Sequence, residues 1–379
     1  MAPEKNPHLV PLLRAAVAAA LLGTAAALAW LLLPSASPLH AASRPPLADL
    51  LGAAPMHAVQ LLSALLAGAA ALRALSLLRR GGPPPRRLLL GAAGIQLLVP
   101  GLAFGSMATL SHAGYMVAFV VPVIVLTAAA ALIHRGGAAR WAVGMPLMAA
   151  ILIGVLAGRE VLAHLLGYLL PALLEEVVPL ASTALFVGTG AIWAGIALRA
   201  LHGAPTMDRI AGALRRHRRA WTILAACGPM PYALTRLTWL TPWPLFGGEM
   251  ASADPATRVW GLALSGGCWL GALLTVGLIR PWGETFPRWF PVVGGRSVPV
   301  ALAAVPGFAV AALLCFAAVP VVLSGAGLGP VLGFGFALIF PCWIWGPSLA
   351  LAVAGYVAHR RAASAGSRPV PVASARMAG

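Results

Sequence analysis

Ten apolar runs, at 10–33, 52–78, 88–109, 115–133, 141–158, 177–198, 220–238, 259–279, 299–323 and 331–358, confine this chain to one kind of solvent. Arg14, Arg73 and Arg236 are the only charged side chains inside them. A bilayer core about 30 Å thick takes roughly 20 apolar residues per helix, and backbone polar groups in hydrocarbon must be satisfied within the segment. The runs are continuous and rich in Ala and Leu, whereas membrane-barrel strands alternate over about ten residues. The expected class is all-α, a polytopic transmembrane helix bundle of about ten spans. With 60% hydrophobic and 9% charged residues and a mean hydropathy of +0.89, the chain holds more apolar surface than a soluble core can hide.

The arrangement of positive charge orients these spans. Of the 26 Lys and Arg residues, twenty fall in every second gap or at the termini, while only Arg44, Arg159 and Arg258 fall in the alternate gaps. Cytoplasmic loops are enriched in Lys and Arg, so the basic gaps are assigned inside and both termini are expected to be cytoplasmic. Six of the nine acidic residues, Asp49, Glu160, Glu175, Glu176, Glu249 and Asp254, lie in the opposite gaps. On a soluble chain a net charge of +17 would point toward nucleic acid, but recognition of that kind needs a folded basic face. Here the cations flank helix ends and the loops are short. The expected partners are the bilayer and the anionic head groups on its cytoplasmic side, with no nucleic acid.

Residues 1–9 are read as a cytoplasmic N-terminus, 10–358 as a single transmembrane domain and 359–379 as a disordered basic cytoplasmic tail. A cleaved secretory signal is the alternative for the first run. Its apolar part at 15–33 holds nineteen residues without a charge, longer than the roughly 7–15 of a signal core, so it is expected to stay as a span. Spans one to four and seven to ten share a plan: a long Pro-containing outer gap, a basic inner gap, a very short outer gap and a His-Arg exit. Val99-Pro100-Gly101-Leu102-Ala103 also matches Val305-Pro306-Gly307-Phe308-Ala309. This raises a parallel repeat of 10–133 and 220–358, a symmetry that many transporters use. Asp254-Pro255 reads as an N-cap and first-turn proline. Thr206 is expected to cap a basic interfacial helix with Met207, Ile210, Ala211 and Leu214 on one face.

No stretch carries a catalytic, nucleotide-binding or metal-binding signature, and neither a catalytic residue nor a cofactor is assigned. Cys227, Cys268, Cys315 and Cys342 all fall in spans with no CxxC pair, as packing residues do. Three groups of residues are the candidates for function. The first is helix breakage at Pro229 and Pro231 in span seven and at Pro341 and Pro347 in span ten. Each proline removes an intrahelical hydrogen bond, and transporters place binding sites where helices unwind; simple kinks are the plainer reading.

The second group lies toward the outer face. Arg236 sits near the outer end of span seven, where a guanidinium either snorkels to the interface or marks a functional site. The outer gap 159–176 is too apolar for an ordinary loop and too short for a span. In a helix Glu160, His164 and Tyr168 form one stripe, which Pro171 is expected to interrupt before Glu175 and Glu176. These side chains are candidates for proton or cation handling, against the plainer reading of a solvated interfacial helix. A lone Glu-x-x-x-His is not a metal motif, since zinc wants three or four ligands.

The third is the inner loop 280–291, in which Arg280, Trp282, Arg288 and Trp289 combine cations with amphipathic rings, a pairing suited to lipid head groups or a partner. This string, with Pro231-Tyr232 and Pro244 before it, resembles uncharacterised multi-pass membrane proteins of high-GC bacteria, over residues 220–310 chiefly. The resemblance implies a bacterial cytoplasmic membrane and brings no activity with it. Three functional readings follow. One is a transporter-like or permease-like protein for a small-molecule or lipid substrate of unknown identity. Another is a membrane scaffold or sensor binding lipid or a second membrane protein. The least supported is an enzyme on lipid-linked substrates.

Overall fold

A computed structural model describes residues 9–40, 45–105, 126–127, 129–130, 133–134, 137–175, 177–288, 293–326 and 330–366. The described chain is helical, its one β feature being an isolated antiparallel bridge between Thr285 and Ser297. In chain order the helices are α1 (Leu9–Leu32), α2 (Pro46–Leu51), α3 (Ala53–Arg79), α4 (Arg86–Ala103), α5 (Ala138–Ala157), α6 (Arg159–Glu175), α7 (Val177–Leu201) and α8 (Pro205–Arg216). There follow α9 (Arg218–Cys227), α10 (Met230–Leu237), α11 (Gly248–Ala253), α12 (Pro255–Gly277), α13 (Val300–Ala326), α14 (Pro330–Ile339) and α15 (Cys342–Gly366).

Six stretches are helical, long and apolar enough to cross a membrane: Leu9–Leu32, Ala53–Arg79, Val177–Leu201, Thr257–Gly277, Val300–Leu323 and Gly333–Ser364. The remaining apolar runs differ for local reasons. Run 115–133 lies mostly outside the described residues. Run 88–109 yields α4, whose first turn carries Arg86 and Arg87, and run 141–158 yields the shorter apolar segment Trp141–Leu156. Run 220–238 is cut at Gly228-Pro229 into α9 and α10, of ten and eight residues. The chain is thus an all-helical protein whose apolar helices suit an integral membrane protein.

Helix starts and stops follow from single residues. The Asp254 carboxylate accepts hydrogen bonds from the Thr257 backbone N–H (3.0 Å) and hydroxyl (2.6 Å), capping α12. Gly52 (φ 81°) turns the chain between α2 and α3, a conformation that costs any other residue strain. Contrary to the sequence expectation, Thr206 is not the cap of α8. That helix begins two residues earlier than a Thr206 cap would set it, at Pro205 after Ala204, because proline's fixed φ suits a first helical position.

Packing divides the helices between two cores. Helices α1, α3, α4 and α7 enclose Leu9, Leu13, Ala16, Ala71, Leu89 and Ile196. Small residues let them close: a Cβ on Gly68 of α3 would lie only 3.1 Å from the Ala20 methyl of α1. Helices α9, α13 and α15 pack around Ala225, Leu314, Ala317, Val321, Val353 and Tyr356. Phe316 of α13 joins an aromatic cluster with Trp30, Phe104 and Phe186, so α13 ties the second core to the first. Leu62, Leu65 and Leu66 on α3 are 50–60% exposed. An apolar surface of that kind suits lipid and would be a liability in water.

Candidate functional site

Inside the first bundle, among side chains that are otherwise apolar, runs a row of polar groups. Residues three apart on a helix share a face, and α3 presents His57, Gln60 and Ser63 inward, each at most 7% exposed. Gln96 on α4 and Thr189 and Trp193 on α7 are buried beside them. Gln96 Nε2 donates to the Ser63 carbonyl (2.8 Å) and Gln60 Nε2 to the Gly23 carbonyl (3.4 Å), so the two amides tie α4 to α3 and α3 to α1. The Thr189 hydroxyl donates back to the Leu185 carbonyl. Pro100 has no N–H, so the Gln96 carbonyl loses its usual donor four residues on.

At one end of this row His57 Nε2 lies 2.7 Å from the Ser37 hydroxyl. Its ring stands 5.3 Å from Trp30 and 6.1 Å from Phe104, which contacts Phe186 at 4.6 Å. These rings cluster with Leu39 of the short helical turn Pro38–His40. Leu13, Ala71, Leu89 and Ile196 belong to the apolar core of the same bundle. A partly open cavity in this bundle is bordered by Gln60, Ser63, Gln96, Thr189 and Trp193 together with small and apolar side chains of α1, α3, α4 and α7. It offers about 20 Å³ to the centre of a water-sized molecule, where roughly 10–15 Å³ admits one water. No residue lining it is ionisable. Gln60 Oε1 and Trp193 Nε1 have no hydrogen-bond partner among the described residues. A buried polar atom in that condition costs about 1–3 kcal/mol, an expense a bundle built only for packing would avoid with Leu and Phe.

The candidates read from the sequence fall elsewhere, in separate places. Glu160, His164, Tyr168 and Glu175 all lie on α6, while Glu176 is outside the described residues. The helix runs through Pro171 without interruption, correcting the expected break. First-turn proline geometry is not needed, because a lone proline kinks a membrane helix without ending it. One helix with Glu160 and Glu175 fifteen residues apart separates them by roughly 22 Å at 1.5 Å per residue, and both are exposed.

Arg236, half-buried near the end of α10, is held by its own surroundings. Its guanidinium lies 4.0 Å from the Trp239 ring centroid and 4.8 Å from that of Tyr232, and Nη1 donates to the Phe246 carbonyl (2.9 Å). Trp239 Nε1 donates to the Leu245 carbonyl (2.8 Å), so ring and cation together fold the segment 241–247 back over α10.

The helix breaks meet through an aromatic plug. Pro229 starts α10, with Pro231 in its first turn; Pro341 separates α14 from α15, and Pro347 sits within α15. Gly228 presses on the Trp345 indole, leaving no room for a Cβ. Tyr232 and Phe340 rings stand 5.0 Å apart, and Phe340 and Phe336 5.4 Å.

The loop after α12 is docked on the start of α9 and the end of α15. Trp282 packs on Gly277. The Glu284 carboxylate meets Arg218 (3.4 Å) and His359 (3.2 Å). The buried Tyr356 hydroxyl donates to the Gly283 carbonyl (2.9 Å) and accepts from Arg360 Nη1 (2.7 Å). Arg280 and Arg288 remain exposed, and Trp289 is outside the described residues.

Sequence reasoning passed over Gln60, Gln96 and Trp193. One signal was available: Gln60 and Gln96 are the chain's two glutamines, and both lie within apolar runs. Among the described residues no group of three or more His, Cys, Asp or Glu is placed to hold a metal ion. No family model, curated protein or solved structure matches the chain.

Proposed function

We propose that this chain is a transporter-like or permease-like protein of the bacterial cytoplasmic membrane, with about ten spans and both termini in the cytoplasm. The observation that carries the reading is the buried polar row His57, Gln60, Ser63, Gln96, Thr189 and Trp193 inside an apolar helix bundle. Polar groups at membrane depth face the bundle interior and mark substrate or ion routes. The row is flanked by the rings of Trp30, Phe104 and Phe186 and by the apolar residues of the first core. The breaks at 228–229 and 341 divide two apolar segments into jointed halves, and joints of this kind serve alternating access.

The reading is tested by comparing polar solutes inside and outside cells that lack the protein, that carry it, and that carry Gln60→Leu with Gln96→Leu. A transporter shifts the distribution of one solute class across the membrane, and the double variant behaves as the deletion. Unchanged distributions in all three strains would refute it.

A scaffold or sensor that binds anionic lipid or another membrane protein is the second reading, favoured by the docking of Gly283 onto Tyr356 and by the exposed Arg280 and Arg288 beside it. On this reading Arg280→Gln with Arg288→Gln strips co-purifying anionic lipid or partner, seen by native mass spectrometry. An unaltered complement would dismiss it.

A further inference from the structure

We propose that α8 is a contact for anionic phospholipid, lying in the bilayer surface with its apolar face toward the acyl chains and Arg209, Arg215 and Arg216 on the phosphates. This contact requires the chain to be membrane-embedded, as proposed above, and is independent of transport. Helix α8 joins α7, which ends at Leu201, to α9, which starts at Arg218, so both its ends are tied to apolar helices. Met207, Ile210, Ala211 and Leu214 share one face of it, and the arginines fall away from that face. None of its twelve residues is buried. Ile210 stands 42% exposed, so the protein covers only part of the apolar face.

The contact that α8 does make with the protein sets its depth. Its Leu214 carbonyl seats on Gly355 of α15, where a Cβ would lie 2.9 Å from the oxygen, and Arg218 packs alongside. Gly355 precedes Arg360 by five residues, about 7.5 Å along the helix at roughly 1.5 Å per residue. Cations that end an apolar helix sit at head-group level, and an interfacial amphipathic helix buries its apolar face about 5–10 Å into the boundary below. Charge selects the lipid. Arg209, Arg215 and Arg216 are exposed and make no ion pair among the described residues, and the one acid of α8 is Asp208 in its first turn. A nucleic acid would meet the arginines and leave Ile210 uncovered, whereas an anionic bilayer meets both.

The test uses the full chain in nanodiscs of phosphatidylcholine alone or of phosphatidylcholine and phosphatidylglycerol in equal parts. An arginine on an anionic surface is worth about fivefold, so in the unmodified chain the α8 amides should exchange at least about fivefold more slowly in the mixed discs. Salt at about 1 M, where the Debye length falls to about 3 Å, should shrink that difference. Replacing the three arginines together, Arg209→Gln, Arg215→Gln and Arg216→Gln, should abolish it while α7 keeps its wild-type exchange. In a cysteine-free background, a spin label at Ile210→Cys should collide with oxygen and one at Asp208→Cys with a water-soluble nickel chelate. Equal exchange of wild-type α8 in the two discs overturns the preference for anionic lipid, whatever the variants do. Nickel-chelate access at Ile210 overturns the immersion, and a label there shielded from both quenchers assigns the face to a protein partner instead. Both faces of the mixed disc carry phosphatidylglycerol, so an inverted topology leaves the result standing, and the solute distributions test transport separately.

Discussion

Replacing Tyr356 with Phe removes one oxygen atom from a fully buried position and should free the 280–299 loop while leaving the helices intact. The hydroxyl makes two hydrogen bonds, to the Gly283 carbonyl at 2.9 Å and from Arg360 Nη1 at 2.7 Å. A neutral bond contributes about 1 kcal/mol net and one to a charged group about 1.5–3 kcal/mol. Arg360 retains the Val298 carbonyl (2.8 Å) and the Ser297 hydroxyl (3.0 Å), and its Nη1 already lies 3.5 Å from the Gly283 carbonyl. It takes over part of the lost work, so the net cost is about 1–2 kcal/mol. The cost is local, because the loop's own ladder depends on this anchor: Phe286 N–H to Arg296 O, Gly295 N–H to Phe286 O and Val298 N–H to Glu284 O. In the regime where exchange reports opening free energy, those three amides should exchange roughly 5- to 30-fold faster. Amides of α13 and α7 should not change. Hydrogen exchange with mass spectrometry in detergent or nanodiscs reads both. Wild-type exchange at the three loop amides would refute the anchor, and equal acceleration throughout the protein would show that Tyr356 supports the whole core instead.

Glu284→Gln should perturb the same amides less than Tyr356→Phe, by under about 1 kcal/mol, since its partners are partly solvated; a larger effect would reverse the assigned roles. Gly228→Ala forces a methyl onto the Trp345 ring and should cost about 1–3 kcal/mol as overpacking, seen as a lower thermal midpoint. Gly266→Ala, with open space around it, should leave that midpoint unchanged or slightly raised. Arg236→Lys loses the planar stack on Trp239 and Tyr232 and should raise protease cleavage at 241–247, a result that intact protection would contradict. In a cysteine-free background, Ser35→Cys and Ala363→Cys should react with an impermeant thiol reagent from opposite sides of the membrane. Labelling of both from one side would overturn the assigned topology.

The helical class and the apolar helices that suit a membrane were legible without coordinates, because hydropathy is a sum over neighbouring residues and survives any packing. Its limit appears at 220–238, where counting apolar residues saw one segment and the hydrogen bonds removed around Pro229 and Pro231 leave two short helices. Spacing placed Glu160, His164 and Tyr168 on one helical face, yet it gave no measure of reach, and an unbroken α6 holds Glu160 and Glu175 at its two ends. Two glutamines inside apolar runs were visible as an anomaly. Nothing local could say that Gln60 and Gln96, thirty-six residues apart, border one cavity with Trp193. That depends on how closely α1, α3, α4 and α7 approach, which the Ala and Gly faces permit and the interlocked layers decide. The sequence by itself determined the helical class, the apolar runs that suit a membrane and an expected orientation. Tertiary structure alone decided where the polar atoms meet, because a site is a set of distances between helices and those distances exist only once the helices pack.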